Sequence, residues 1–159
     1  MLRFSDRSEA GRLLANELGE YAGRTDVVVI PVRMRAIPVA RSLSAALSVR
    51  DATAYATRDA LTSLAGRTAI LVDDGFDSLD RMREAIIVAR GCDASRVVAA
   101  APLGSAEVSH AVSRMADHSV CLSKPMPFRS VGFWYDDSVR AAARAVFVGK
   151  TERHIATGR

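Results

Sequence analysis

Apolar positions along the chain form two patterns, short continuous runs and longer stretches at helical spacing, and the two alternate from end to end. Leu13, Leu14, Leu18 and Tyr21 share one face of a stretch, Ser5 to Tyr21, that opens with SDRSEAG, which predicts an amphipathic first helix ended by the turn AGRTD. Val27 to Val32 (VVVIPV) is apolar throughout, as expected of a parallel strand covered on both faces. A helix follows over Pro38 to Leu47, with proline in its first turn. Ala52 to Thr57 reads as a short edge strand and Arg58 to Leu64 as a short helix or loop. Thr68 to Val72 (TAILV) is the second strong strand, and it stops abruptly at Asp73-Asp74. Asp77 to Arg90 predicts a helix closed by Gly91. Arg96 to Pro102 predicts a strand, Ser105 to Ala116 a helix and Ser119 to Ser123 a strand. The connection KPMPF then leads to Val131–Tyr135 and an Ala-rich last helix over Ser138 to Val148.

Strands of four to six residues alternating with helices specify an α/β fold: an open parallel sheet flanked by helices, Rossmann-like, with right-handed crossovers. At 159 residues the chain suits one domain, 1–149, with a polar tail over 150–159. Ligands of such sheets bind beyond the carboxyl ends of the strands, so the loops after Val32, Val72 and Pro102 are the ones to inspect.

The loop after Val72 carries the sharpest chemical signal. AILVDDGFDSLDRM sets an apolar strand, adjacent carboxylates and a glycine at the strand end, then a helix start. In this the chain resembles the type I phosphoribosyltransferases, whose signature is an apolar strand, an acidic pair and a small-residue loop ending in Thr-Gly-x-Thr. The resemblance implies that Asp73 and Asp74 accept hydrogen bonds from ribose hydroxyls. It also implies that Gly75, Asp77, Ser78 and Arg81 lie where loop amides and a helix N-terminus cradle the 5-phosphate of phosphoribosyl pyrophosphate. The loop departs from the family's: Ser78-Leu79-Asp80-Arg81 keeps one hydroxyl, loses the glycine and gains Asp77 and Asp80 nearby. A carboxylate about 5 Å from a phosphate charge costs on the order of 3 kcal/mol at an effective dielectric near 20, roughly two powers of ten in affinity. Arg81 offsets part of that, and Leu79 places a side chain where backbone should approach phosphate.

Two further segments are similar to one branch of the same family. VVVIPVRMRAIPVARSLSAAL keeps the Val-Pro-Val-Ala helix start as Ile37-Pro38-Val39-Ala40. The preceding Pro-Arg-Gly-Gly loop has become Arg33-Met34-Arg35-Ala36. The amide nest for pyrophosphate is thereby replaced by Arg33 and Arg35, which suit an anion as point charges. CLSKPMPFRSVGFWYDD matches the branch's Pro-x-x-Phe-x-x-Val-Gly-x-Trp-Tyr segment. In related purine transferases this segment lines the base pocket, which implies Val131, Phe133 or Trp134, and Asp136 or Asp137. Packing alone is at least as strong a reason for aromatic residues here. The interval from Ala40 to Val72 is too short for the family's mobile hood, which closes over phosphoribosyl pyrophosphate and excludes water.

Charge and cysteine usage narrow the picture only slightly. Lys+Arg of 22 against Asp+Glu of 18 gives +4, and the arginines are scattered rather than gathered in a stripe, which argues against nucleic acid. Cys92 and Cys121 stand alone, and His110, His118 and His154 share no ligand spacing, so no side-chain metal site is expected. The absence of a signal-like or membrane-length apolar run points to the cytoplasm.

The favoured expectation is a catalytically degenerate phosphoribosyltransferase-like protein that binds a phosphorylated ribose compound, a nucleotide or a partner in a regulatory role. The first alternative is an active transferase with magnesium bridging its pyrophosphate, and the second is a nucleic-acid-binding protein. A homo-oligomer is expected, since without a hood the site beside Phe133 and Trp134 would lie open.

Overall fold

The computed structural model describes residues 2–52 and 64–142. Helix α1 (Arg7–Glu17) is followed by a 3-10 turn, Gly19–Tyr21, so the helix expected to reach Tyr21 instead tightens in its last turn. Asp6 caps α1 by accepting from the Glu9 amide at 2.7 Å, and Glu9 reaches back to the Ser5 amide at 2.7 Å. Strand β1 (Val27–Pro31), a 3-10 turn over Met34–Ala36 and α2 (Ile37–Leu47) come next. Helix α2 ends at Ser48, which takes the left-handed conformation at φ 53.

The described part of the edge strand, β2, is Arg50–Asp51, just before the expected Ala52 to Thr57. Residues 53–57 of that expectation, and 58–63 of the helix or loop after it, lie outside the described residues. Then follow β3 (Thr68–Val72), α3 (Leu79–Gly91), β4 (Arg96–Leu103), α4 (Ala106–Met115) and β5 (His118–Ser123). Helix α3 begins two residues later than its sequence suggests, because Asp77 is held in the loop by Arg33 at 3.1 Å. Gly91 falls inside its last turn, and the left-handed residue that redirects the chain is Asp93, at φ 59. A 3-10 turn over Val131–Trp134 leads into α5, 136–142; the rest of the expected last helix and the polar tail lie outside the described residues.

All five strands among the described residues are parallel, in the order β2-β1-β3-β4-β5. Strand periodicity divides the core in two. Val28, Ala69, Leu71, Val97, Ala99 and Ala101 meet Met82, Ile86 and Val112 of α3 and α4. Val27, Val29, Ile70, Val72, Val98 and Ala100 meet Leu14, Val39, Leu43 and Leu47 of α1 and α2. Both faces are covered, which is why VVVIP and TAILV carry no polar alternation. Helices α1 and α2 approach closely at Gly11, where an added Cβ would lie 2.3 Å from the Val39 carbonyl oxygen. A third cluster, Phe4, Ala10, Leu103, Val131, Trp134 and Tyr135, closes the carboxyl end of the sheet. The strand order reverses between β1 and β3, and the loops leaving these two strands flank the crevice where ligands of such folds bind.

Candidate functional site

Asp73 and Asp74 sit at the end of β3, and both side chains are buried, Asp73 with 1% of its surface exposed and Asp74 with none. The Asp73 amide extends the ladder by donating to the Ala100 carbonyl at 3.0 Å. One Asp73 oxygen accepts from the Asp74 amide at 2.7 Å and the other from Arg33 Nη2 at 2.7 Å. The same Arg33 nitrogen reaches Asp77 Oδ1 at 3.1 Å. Asp74 Oδ2 is held by Arg7 of α1, at 3.0 Å from Nε and 2.8 Å from Nη2. Arg7 also donates to Ser138 Oγ at 2.9 Å and lies over the Tyr135 ring, 4.4 Å from its centroid. The Tyr135 hydroxyl donates to the Asp74 carbonyl at 2.6 Å. The acidic pair is therefore closed by arginines of this chain, Arg33 from the β1 loop and Arg7 from the first helix.

Two of the buried atoms without hydrogen-bond partners among the described residues, Asp74 Oδ1 and Arg33 Nε, face each other at 4.0 Å. Burial is the largest influence on Asp73 and pushes its carboxyl up to about 7 against the pull of Arg33. Burial opposes the Arg33 charge, but Asp73 and Asp77 outweigh it and the guanidinium is held above its ordinary range. Burial, with Asp74 adding to it, drives the Tyr135 phenol upward.

Beyond the buried pair, a cleft of about 250 Å³ is lined by Arg33, Asp77, Ser78, Asp80, Arg81 and Glu84. Ser78 is the N-cap of α3 by position, yet its hydroxyl makes no capping bond. Arg35 and Arg81 are exposed and make no ion pair among the described residues. Leu79 turns into the core on the α3 side instead of standing over the loop, so it leaves the cleft clear. Asp80 is on the outside and pairs with Arg83 at 3.4 Å. A second, largely apolar trough of about 230 Å³ runs from Ile30, Pro31 and Val32 to Ala85, Val88 and Ala89, and shares Arg81 and Glu84 with the first.

The carboxyl-terminal residues are placed differently from one another. Gly75 lies against Val131: a Cβ there would come within 2.6 Å of Val131 Cγ2, so glycine at this position serves a close packing contact. Val131 and Trp134 are core residues, 3% and 2% exposed. Phe133 is half-buried with the Arg3 and Arg129 guanidiniums each 5.0 Å from its ring centroid. Of the aromatic pair, Trp134 is thus a core residue, while Phe133 keeps part of its ring exposed. Asp136 pairs with Arg3 at 3.1 Å, and Asp137 lies 3.9 Å from Arg7. Sequence reasoning missed Arg7 and Tyr135. Tyr135 is the last residue of the matched Pro-x-x-Phe-x-x-Val-Gly-x-Trp-Tyr segment and was within reach, whereas nothing local ties Arg7 to a carboxylate at position 74.

The resemblance implied magnesium for an active enzyme, and the donor set does not fit one. Of the four oxygens of Asp73 and Asp74, three already accept bonds from this chain. Among the described residues, no group of three or more His, Cys, Asp or Glu is placed to hold a metal ion. No described helix is long and apolar enough to cross a membrane.

Among the described residues, a five-stranded parallel sheet ordered 2-1-3-4-5, with an acidic pair at the end of its third strand, has the type I phosphoribosyltransferase fold. The chain is similar to the protein TT1426 of Thermus thermophilus, with a TM-score of 0.69 and 24% identity over 88% of this chain and 97% of that one. It is also similar to the orotate phosphoribosyltransferase of Aeropyrum pernix, with a TM-score of 0.54 and 20% identity over 72% and 68% of the two chains. In sequence it is 29% identical, over 196 residues, to a Mycobacterium tuberculosis protein that carries phosphoribosyl transferase as a provisional name. That match takes in 85% of this chain and 43% of the relative, so the chain spans about two fifths of the length of the curated relatives it matches. No family model matches the chain.

Proposed function

We propose that this chain is a phosphoribosyltransferase-type protein in which group transfer has been lost, and in which the cleft beside β1 and β3 binds a phosphorylated ribose compound or nucleotide in a regulatory role. One observation carries this reading: both carboxylates that would receive a ribose diol are buried and bonded to Arg33 and Arg7. A diol would have to displace a guanidinium from a carboxylate that has almost no contact with water, and breaking such a pair costs about 3–5 kcal/mol. The anion-binding half of the site remains usable. Ser78 Oγ is not spent on capping, and Arg81 stands at the mouth of the cleft with its charge unpaired among the described residues. An arginine fork suits a phosphate without the amide nest that the Arg33–Ala36 loop no longer provides.

Titration calorimetry with phosphoribosyl pyrophosphate, ribose 5-phosphate and purine nucleotides tests the binding, alongside an assay for pyrophosphate release across common nucleobases. The expected outcome is heat for at least one phosphorylated ribose compound, weakened about tenfold or more by Arg81→Ala, with no pyrophosphate released. Pyrophosphate release abolished by Asp74→Ala would establish an active transferase instead, and no heat for any ligand would remove the binding role.

A further inference from the structure

We propose that Asp77 is an autoinhibitory occupant of the cleft: its carboxylate holds the Arg33 hydrogen that a phosphate group would take, and the ligand of the function proposed above must displace it to bind. That displacement rests on the proposed function, whereas the contact itself is in the structure. Arg33 Nη2 carries two hydrogens, and both are spent on carboxylates, at 2.7 Å to Asp73 Oδ2 and 3.1 Å to Asp77 Oδ1. The Arg33 Nε is buried, 4.0 Å from Asp74 Oδ1, and so is out of reach of a ligand. Nη1 makes no hydrogen bond among the described residues. A phosphate that takes the guanidinium fork in two bonds therefore finds Nη1 free and must win its second hydrogen on Nη2.

The two carboxylates on Nη2 are not equally easy to displace. Asp73 is buried and also accepts the Asp74 amide at 2.7 Å, so taking it from Arg33 would strand a charge in the interior. The Asp77 side chain is 33% exposed, and its bond to Arg33 is its only side-chain bond among the described residues. The Asp77 amide donates to the Gly75 carbonyl at 3.1 Å, a bond within the loop that survives rotation of the side chain. Phosphate for carboxylate is an exchange of like charge, so Arg33, whose side chain is 14% exposed, keeps a partner throughout. Ser78 and Arg81 line the same cleft and meet the anion that replaces Asp77. A carboxylate tethered to its own loop has a large effective concentration. An anion with more charge and more oxygens is needed to displace it, which makes Asp77 a filter for phosphate groups over simple carboxylic acids.

Calorimetry with inorganic phosphate at one fixed pH tests the contact in the wild type, Asp77→Asn, Arg33→Met and the double variant R33M/D77N. Asp77→Asn is expected to bind phosphate about tenfold or more tighter than the wild type. In the Arg33→Met background the same change is expected to gain less than about threefold, because it releases no hydrogen. Asp80→Asn is the control for charge alone: Asp80 lines the same cleft but pairs with Arg83, and its loss is expected to gain less than about threefold. Circular dichroism checks that each variant is folded, and Arg33→Gln replaces Arg33→Met if that chain does not fold. A folded Asp77→Asn that binds phosphate no more tightly than the wild type overturns the proposal. So does an equal gain without Arg33, or from Asp80→Asn, since either would show plain repulsion in place of a released hydrogen. Titration with ribose 5-phosphate separates this contact from the function it regulates. If the wild type binds that ligand and Asp77→Asn binds it no more tightly, the autoinhibitory contact falls and the proposed function stands. If Asp77→Asn gains on inorganic phosphate in the expected way while the wild type binds no phosphorylated ribose compound, the contact stands and the proposed function falls.

Discussion

Asp73 combines burial with an ion pair, and the two act in opposite directions on its proton. Burial wins and raises the carboxyl to about 7, whereas an unfolded aspartate titrates near 3.9. Between these values the native chain holds a proton that the unfolded chain has released, so stability falls as pH rises. The contribution is fully present below about pH 4 and is lost as pH passes through about 7, a change on the order of 2–4 kcal/mol. Asp26 and Asp117, whose carboxyls are lowered by hydrogen bonds from Arg24 and the Val97 amide, act with the opposite sign. Comparison with Asp73→Asn separates the effects: urea midpoints measured from pH 4.5 to 7.5 should lose this downward trend in the variant. An unchanged trend would show that the proton is held elsewhere. The acidic pair itself was legible in the sequence as Asp73-Asp74 after an apolar strand. Its closure by Arg7 was not, because that ion pair links residues 67 positions apart through the packing of α1 on the sheet.

At the scale of elements, the segment after β5 is locked to the loop after β3 by a glycine. Gly75 leaves just the room that Val131 fills, and a Cβ would come within 2.6 Å of its Cγ2. Gly75→Ala should destabilise the protein by about 1–3 kcal/mol through overpacking. Val131→Ala opens that space, so the double variant should be less destabilised than the sum of the singles by on the order of 1 kcal/mol, as read from denaturant unfolding. Additive effects would mean that the two loops relax independently. A glycine after the acidic pair suggested phosphate chemistry in the sequence, and in the fold it serves loop packing. The boundaries of the helices show the same limit of local reasoning. The pattern from Asp77 to Arg90 is helical throughout, but Arg33 retains Asp77 in the loop and α3 starts at Leu79.

Across the whole molecule, the first residues and the segment before α5 are built as one unit. The Phe4 amide donates to the Trp134 carbonyl at 3.0 Å, and the Asp136 amide to the Phe4 carbonyl at 2.9 Å. The Phe4 ring, fully buried, lies 5.5 Å from that of Tyr135. This cluster fixes Tyr135 under Arg7 and so reaches the buried pair. Phe4→Ala should cost about 3–5 kcal/mol. Trp134 is the only tryptophan, so its emission should shift to the red as water reaches the cluster. Stability lost without such a shift would place the damage elsewhere.

The sequence by itself determined the succession of strands and helices along the chain, the two-sided burial of the sheet and the acidic pair at a strand end. These are written in local periodicity, in runs such as VVVIP and TAILV whose neighbours in sequence report which faces are covered. Only the tertiary structure decided the state of that pair. Arg33, read in the sequence as a free anion ligand, is turned inward to Asp73 and Asp77, and Arg7 is brought from the first helix to Asp74. Burial and charge pairing depend on which distant groups the fold brings within a few ångströms, and no spacing along the chain encodes that.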